Sequence, residues 1–308
     1  MKLKSKLRID YGSKKRLTDL AICFKEFAAF IKASYRTSRF SSVLCFTSAT
    51  LAGAILTGSL GDSRTVWLLL FSASSTTFGF VVNDLSDAEL DRSAGVLRNS
   101  VSTGELSSRR CILLTLFFLF VSLASLPFMS FQNQLLGLVV IFLYFTYSWL
   151  VRAKARPVLD ILYHGLCLAI LATMGYLGYR PFNFTCLLLA SLIFLLSATS
   201  QILQEIRDYE TDIKMVKTTV TLLGKRLSLI ICLAFWVFAF AIFILLLFYG
   251  AIPLEILLLS PLAYFIIAPF IRTIHNEEYE DNMLRKIKET RLILIAILFA
   301  FLTLYHLI

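Results

Sequence analysis

Long apolar segments recur along this chain, and each is about 20 residues long, the length of a helix that crosses a lipid bilayer. Inside lipid the backbone must satisfy its own hydrogen bonds, so repeated segments of this kind predict an all-α membrane protein. Hydrophobic residues make up 58% of the 308 residues and charged residues only 16%, whereas soluble domains have about 25% charged residues. We therefore exclude a soluble globular fold. We predict nine membrane spans, at about 42–61, 65–83, 111–130, 133–151, 158–179, 183–204, 227–249, 251–271 and 291–308.

The placement of charge supports this count. If the spans alternate in direction, only Arg64 and Arg180 of the 30 Lys and Arg residues fall in the loops on one side of the membrane. Positive residues concentrate on the cytoplasmic side of membrane proteins. The opposite side, which holds the N-terminus and the loops at about 84–110, 152–156, 205–226 and 272–291, is therefore predicted to be cytoplasmic in a multi-pass protein of the cell membrane.

The sequence divides into two parts. Residues 1–40 are basic and carry apolar residues at helical spacing over about 18–35, which predicts a cytoplasmic segment on the membrane surface. Residues 41–308 hold the nine predicted helices. The net charge of +10 lies on one membrane face and suits anionic lipid headgroups. Since there is no soluble basic domain, a nucleic-acid partner is not expected, and no obligatory protein partner is evident.

Two acidic motifs occur at the ends of the second and sixth spans. They read NDLSDAELD, from Asn83, and QEIRDYETD, from Gln204. Each position of the second motif lies 121 residues after its counterpart in the first, as 83 and 204 do. Four spans separate the motifs, so both are expected at the same membrane face.

Each motif places three carboxylates on one helix face, because positions i, i+3 and i+7 lie within roughly 60° of one another. The intervening acids, Glu89 and Glu210, are predicted to point away and to be solvated. Facing carboxylates need a cation between them, and hard oxygen ligands favour Mg²⁺, above all where a phosphorylated substrate supplies further oxygens. The two stripes predict a Mg²⁺–diphosphate site formed by Asp84, Asp87, Asp91, Glu205, Asp208 and Asp212.

Basic residues in the same loops are candidates to complete the diphosphate site. Arg98 follows the first motif by seven residues and Lys214 follows the second by two, while Arg152 and Lys154 lie in the loop after the fourth span. An ionised diphosphate would leave an allylic carbocation, which an apolar and aromatic bundle can shelter.

These motifs resemble those of the UbiA superfamily of intramembrane prenyltransferases. The first matches the family pattern N-D-x-x-D-x-x-x-D, and the second resembles D-x-x-D-x-x-x-D with Glu205 at its first acid. VSTGELS (101–107), YFTYSWLVRAKARPVLD (144–160) and VKTTVTLLGKR (216–226) resemble further family segments. Two positions depart from the family: Arg98 is followed by Asn99 in place of Pro, and Thr211 replaces Gly.

The resemblance implies nine helices around a central cavity, with Mg²⁺ as cofactor and a polyprenyl diphosphate as donor. It implies that Asp84, Asp87, Asp208 and Asp212 bind Mg²⁺-diphosphate, that Asp91 and Glu205 assist, and that Asn83 positions the ligands or the acceptor. The resemblance implies that Arg98, Arg152 and Lys154 hold the diphosphate, and Lys214 is a further candidate from its position after the second motif.

Five further residues are candidates for the cavity or the acceptor. Asp160 and His164 lie one helical turn apart at the start of the fifth span, where ionisable residues are often functional. His164 could accept a proton from the acceptor, or the two could form a structural hydrogen bond. Tyr144 and Tyr147 share one helix face and could stabilise a cation or anchor the helix at the interface. Gln201 adjoins the second carboxylate stripe.

Three functions remain open on sequence grounds. Transfer of a prenyl group to a lipophilic acceptor (an aromatic or quinone precursor, a glycerol-phosphate lipid or a carotenoid) is favoured. A terpene cyclase of the same fold would use the same motifs without an acceptor. A cation transporter fits less well, because transporters place their charges near the bilayer midplane.

Overall fold

The computed structural model describes residues 30–59, 61–97, 99–259 and 297, and every regular element within them is helical. We number the α-helices in chain order as α1 (Phe30–Ser38), α2 (Phe40–Leu56), α3 (Ser63–Ser93), α4 (Ser108–Ser125), α5 (Phe131–Ser148), α6 (Leu159–Leu177), α7 (Phe184–Asp212), α8 (Thr219–Leu223) and α9 (Lys225–Phe248). Short 3₁₀ helices lie at Leu126–Phe128, Ala153–Ala155 and Leu254–Leu259.

Each of the seven predicted spans between 42 and 249 coincides with one described helix. By length and composition, five helices can cross a membrane: α3, α4 with its 3₁₀ turn, α6, α7 and α9. The pair α1 and α2, bent by 44° at Arg39, forms a further candidate. The last two predicted spans, 251–271 and 291–308, fall largely outside the described residues. The protein is therefore an all-α, multi-pass membrane protein.

Helix α6 lies at the centre of the bundle and packs against α2, α5 and α7. Its contact with α2 depends on small residues: a Cβ added at Gly53 would collide with the backbone of Ala172, and one added at Gly175 with the backbone of Thr50. Small residues let membrane helices approach closely. Helix α3 packs against α2, α4 and α5, and α9 packs against α7.

The two ends of the bundle differ in their contacts. At one end, the Arg64 guanidinium donates to the Gly178 carbonyl at 2.9 Å and lies over the Tyr179 ring. At the other end, Lys154 reaches Asp87 at 2.6 Å. Loops predicted to share a membrane face thus meet in the structure.

Helices α3 and α7 are the longest of the described helices, with 31 and 29 residues. Both continue past the predicted span ends at 83 and 204, so each acidic motif occupies the last turns of a continuous helix. This extension carries the motif side chains beyond the apolar part of the bundle.

Candidate active site

A cavity of about 420 Å³ opens between α3, α5, α6 and α7. Its mouth is lined by charged side chains and its interior by aromatic ones. The sequence-predicted residues that line it are Asn83, Asp87, Asp91, Tyr144, Tyr147, Arg152, Lys154, His164, Gln201, Glu205, Asp208 and Asp212. Asp84, Asp160 and Lys214 do not line it, and Arg98 lies outside the described residues.

Lys154 joins the first motif to the loop between α5 and α6. Its ammonium donates to the Asn83 Oδ1 at 3.0 Å, the Ser86 Oγ at 2.8 Å and the Asp87 Oδ1 at 2.6 Å. Burial lowers the pKa of Lys154, and the Asp87 carboxylate partly opposes that shift. The side chain is therefore a partly desolvated cation at the cavity mouth.

The loop around Lys154 has an unusual backbone. Leu150, Arg152 and Val158 have positive φ values of 54°, 48° and 71°, a region that residues other than glycine rarely adopt. Such residues persist only where the surrounding structure fixes them, and they cluster at functional sites. The strained turn directs both Arg152 and Lys154 to the cavity.

Asp91 lies at the end of the first motif, and its Oδ2 accepts a hydrogen bond from the Asn99 amide at 2.8 Å. The same amide nitrogen donates to the Asp84 carbonyl at 2.8 Å. Asn99 is fully buried and belongs to the loop that follows α3. This loop is thus fastened to the motif by a side chain that does not itself line the cavity.

Asp84 differs from its predicted place on a continuous carboxylate stripe. Its side chain is buried, with 1% of the residue exposed, and pairs with Arg39 at the junction of α1 and α2. Arg39 also lies over the Phe80 ring and lines the cavity. The acid therefore faces the helix junction, and Arg39 takes its place at the cavity wall.

The second motif has other partners. Arg207 donates to both carboxylate oxygens of its neighbour Asp208, at 2.8 Å each. Glu205 is buried; it accepts from the Gln201 amide at 2.9 Å and from the Val220 backbone N–H at 3.3 Å. Glu205 thus lines the cavity and also holds α8.

Asp160 does not line the cavity and instead binds Thr219, the first residue of α8. It accepts from the Thr219 N–H and from the Thr219 hydroxyl, each at 2.6 Å. The His164 Nδ1 lies 2.8 Å from the Ser197 Oγ, and its ring packs edge-on against Phe46. The fifth span thus presents His164 to the cavity while Asp160 secures the start of α8.

Aromatic side chains form the interior of the cavity. The Tyr144 hydroxyl lies 3.1 Å from the Thr76 Oγ1, and the rings of Tyr147 and Tyr163 lie 6.3 Å apart. Gly79 permits this packing, because a Cβ there would lie 2.8 Å from the Tyr144 ring. The predicted tyrosine pair therefore faces the cavity together with Tyr163.

Comparison with known proteins identifies the family. Residues 44–288 match the UbiA prenyltransferase family. The chain belongs to this family. The intramembrane bundle and its paired acidic motifs are accordingly those of a UbiA protein. Among curated proteins, none matches the sequence significantly.

Solved structures of UbiA homologues share the fold. A homologue from Archaeoglobus fulgidus bound to GPP and Mg²⁺ has 25% identity and a TM-score of 0.69, with 88% of this chain and 99% of that chain covered. The same homologue bound to DMAPP and Mg²⁺ has 25% identity and a TM-score of 0.68, with coverage of 88% and 98%. A homologue from Aeropyrum pernix K1 has 16% identity and a TM-score of 0.66, with coverage of 82% and 94%.

The donor set of this UbiA cavity fits Mg²⁺. Asp87, Asp91, Asp208 and Asp212 supply hard carboxylate oxygens around one cavity mouth, as Mg²⁺ prefers. Within the described part of the chain, no three Asp, Glu, His or Cys side chains converge closely enough to form a ready-made metal cage. Mg²⁺ usually keeps only one or two carboxylates and completes its shell with water and substrate phosphates, so an open arrangement suits an ion that arrives with a diphosphate.

Sequence reasoning missed several residues of the cavity. Arg39 is one of several basic residues that precede the first span, and Phe46 and Phe80 lie within spans as ordinary apolar residues. Only the bend between α1 and α2 brings Arg39 to Asp84. Asn99 was visible in the sequence as a departure from the family proline. Its hydrogen bonds could not be predicted, because they depend on the path of the loop.

Proposed function

We propose that the protein transfers a prenyl group from a prenyl diphosphate to a lipophilic acceptor, with Mg²⁺ as cofactor and diphosphate as the second product. The observation that carries the proposal is a single cavity with a carboxylate- and cation-lined mouth and an aromatic interior. Such a cavity can hold both ends of a prenyl diphosphate. The A. fulgidus homologue, similar in fold over almost its whole length, binds DMAPP and GPP with Mg²⁺.

The mouth would bind the diphosphate. Asp87, Asp91, Asp208 and Asp212 would hold Mg²⁺, which when bound neutralises the diphosphate and makes it a better leaving group. Lys154 and Arg152 would contact the phosphate oxygens directly. Because Lys154 is partly desolvated, its charge acts in a medium of low effective dielectric constant.

The interior would protect the reacting carbon. When the bond between C1 of the prenyl group and the diphosphate oxygen breaks, the electron pair leaves with the oxygen and C1 becomes cationic. The faces of Tyr144 and Tyr147 would stabilise that cation and exclude water from it. The acceptor then forms its bond to C1 and releases a proton; His164 and Gln201 are the polar groups that its reacting end would meet.

The orientation follows from charge. The motif end of the bundle carries nearly all basic loop residues, so we place it on the cytoplasmic side. The donor would enter from the cytoplasm and the acceptor from the membrane.

The test uses the purified protein in detergent with geranyl diphosphate, Mg²⁺ and a panel of aromatic, glycerol-phosphate and carotenoid acceptors. Diphosphate release and a prenylated lipid, detected by mass spectrometry, are expected only when a suitable acceptor is present. A cyclic hydrocarbon formed without any acceptor would instead establish a cyclase. Cation flux in liposomes, with no diphosphate released from any donor, would establish a transporter.

A further inference from the structure

We propose that Asn99 is the positioning residue that sets the orientation of Asp91 for the Mg²⁺–diphosphate complex. This inference rests on the proposed function. Asn99 occupies the position where the resembled family pattern has proline, and it does not line the cavity. Any effect it has on the reaction must therefore pass through the residues that it contacts.

The contacts of Asn99 use both ends of its amide. The nitrogen donates to the Asp84 carbonyl and to the Asp91 Oδ2, both at 2.8 Å. The oxygen accepts from the backbone N–H groups of Val101 at 2.9 Å and Ser102 at 3.3 Å. One fully buried side chain thus joins the last turns of α3 to the loop that follows them.

Among the groups that Asn99 contacts, Asp91 is the one through which it can act on the site. Asp91 lines the cavity mouth, and one oxygen of its carboxylate accepts from the Asn99 amide, which three further hydrogen bonds hold in place. Hydrogen bonds to ligating carboxylates fix their direction, and loss of such a partner typically reduces metal affinity or activity about 10- to 100-fold. A proline at this position could not supply the side-chain bonds, so these contacts are a departure from the family pattern.

Two substitutions separate the role at Asp91 from the role in the loop. Asn99→Leu removes both sets of hydrogen bonds at similar volume. Asn99→Asp keeps an oxygen that can accept from Val101 and Ser102 but replaces the donor facing Asp91 with a carboxylate. If Asn99 acts on Asp91, both variants lose metal affinity, even though Asn99→Asp retains the loop contacts.

Asn133 offers a matched control at the other end of the bundle. It is also an asparagine buried to within 1% of full burial, and its amide donates to the Met174 carbonyl at 3.0 Å. Asn133→Leu makes the same chemical change at a buried position but removes one side-chain hydrogen bond where Asn99→Leu removes four, so it controls for replacing a buried asparagine by leucine. It is expected to lower stability without changing the response to Mg²⁺.

The experiment measures two quantities for each protein in detergent: the Mg²⁺ concentration that gives half-maximal turnover, and the rise in melting temperature caused by Mg²⁺ with a non-hydrolysable geranyl diphosphate analogue. Both Asn99 variants should need about 10- to 100-fold more Mg²⁺ and show a smaller rise in melting temperature, whereas Asn133→Leu should respond like the original chain.

Three results would count against this assignment. A Mg²⁺ requirement within twofold of the original chain in Asn99→Asp, or in both variants, would overturn it. An equal change in Asn133→Leu would also overturn it, because the effect would then reflect general destabilisation. If the original chain shows no Mg²⁺-dependent stabilisation by the analogue, the proposed function itself fails, and the inference fails with it.

Discussion

The first and second acidic motifs end equivalent helices, yet their matching acids have different partners. Asp87 is held by Lys154 from a separate loop, while its counterpart Asp208 is held by the adjacent Arg207. The first acids, Asp84 and Glu205, are both buried. In each half the second and third acids line the cavity, whereas the first is buried among protein partners; of the two first acids, Glu205 also lines the cavity and Asp84 does not.

This difference shows that two copies of one sequence motif can be held in place by different kinds of contact. The repeat supplies carboxylates at equivalent positions near the ends of two helices, but the loops that follow the two motifs make different contacts with them. In the first half a side-chain amide, that of Asn99, fastens the loop to the motif. In the second half, backbone N–H groups of Thr219 and Val220 bind the carboxylates of Asp160 and Glu205.

The largest effect is expected from neutralising the second acid of either motif. Asp87→Asn and Asp208→Asn should each reduce kcat/KM by at least about 100-fold, because loss of a partner outside the metal's own ligands already costs about 10- to 100-fold. Steady-state diphosphate release, with circular dichroism to establish folding, measures the effect. A tenfold difference between the two variants would show that the halves contribute unequally.

The matched controls for this pair are Glu89→Gln and Glu210→Gln. These acids lie two residues after Asp87 and Asp208, stand at the same 121-residue offset, and are exposed in the structure as the sequence predicted. Their loss should change turnover less than twofold. A loss of turnover as large as that of Asp87→Asn would mean that the site depends on its net negative charge and not on which carboxylates point to the cavity.

Replacing the basic partners of the second acids, Lys154 and Arg207, is expected to reduce kcat/KM by smaller and unequal amounts. Lys154→Met should reduce kcat/KM about 10- to 100-fold, because Lys154 lines the cavity and binds three groups of the first motif. Arg207→Met should cost no more than about fivefold, since an exposed ion pair contributes little and Arg207 does not line the cavity. Kinetics at varied donor concentration compare them, and equal losses would contradict the asymmetry.

Sequence alone could predict the helical fold, because the length of the apolar segments and the charges of the loops between them can be read directly from the chain. It also placed the acids at one end of the bundle, since helical spacing determines which side chains share a face. It could not predict the burial of Asp84, which depends on the bend before α2 that brings Arg39 alongside. The attachment of Asp160 to Thr219 was equally inaccessible, because those residues meet only after two helices and a loop have packed.

The smallest expected effect is on stability and concerns the first acids. Asp84→Asn removes the charged partner of Arg39 in a buried setting and should cost about 1–3 kcal/mol. Glu205→Gln keeps an oxygen that can accept from the Val220 N–H, so about 1 kcal/mol is expected. Melting temperatures in detergent should therefore fall further for Asp84→Asn. A double-mutant cycle with Arg39→Met isolates the pair, since residues in contact give non-additive changes. Additive losses of stability at Arg39 and Asp84 would mean that their ion pair does not stabilise the first half. A larger fall in melting temperature for Glu205→Gln would mean that the Arg39 partner does not make Asp84 the more important of the two first acids.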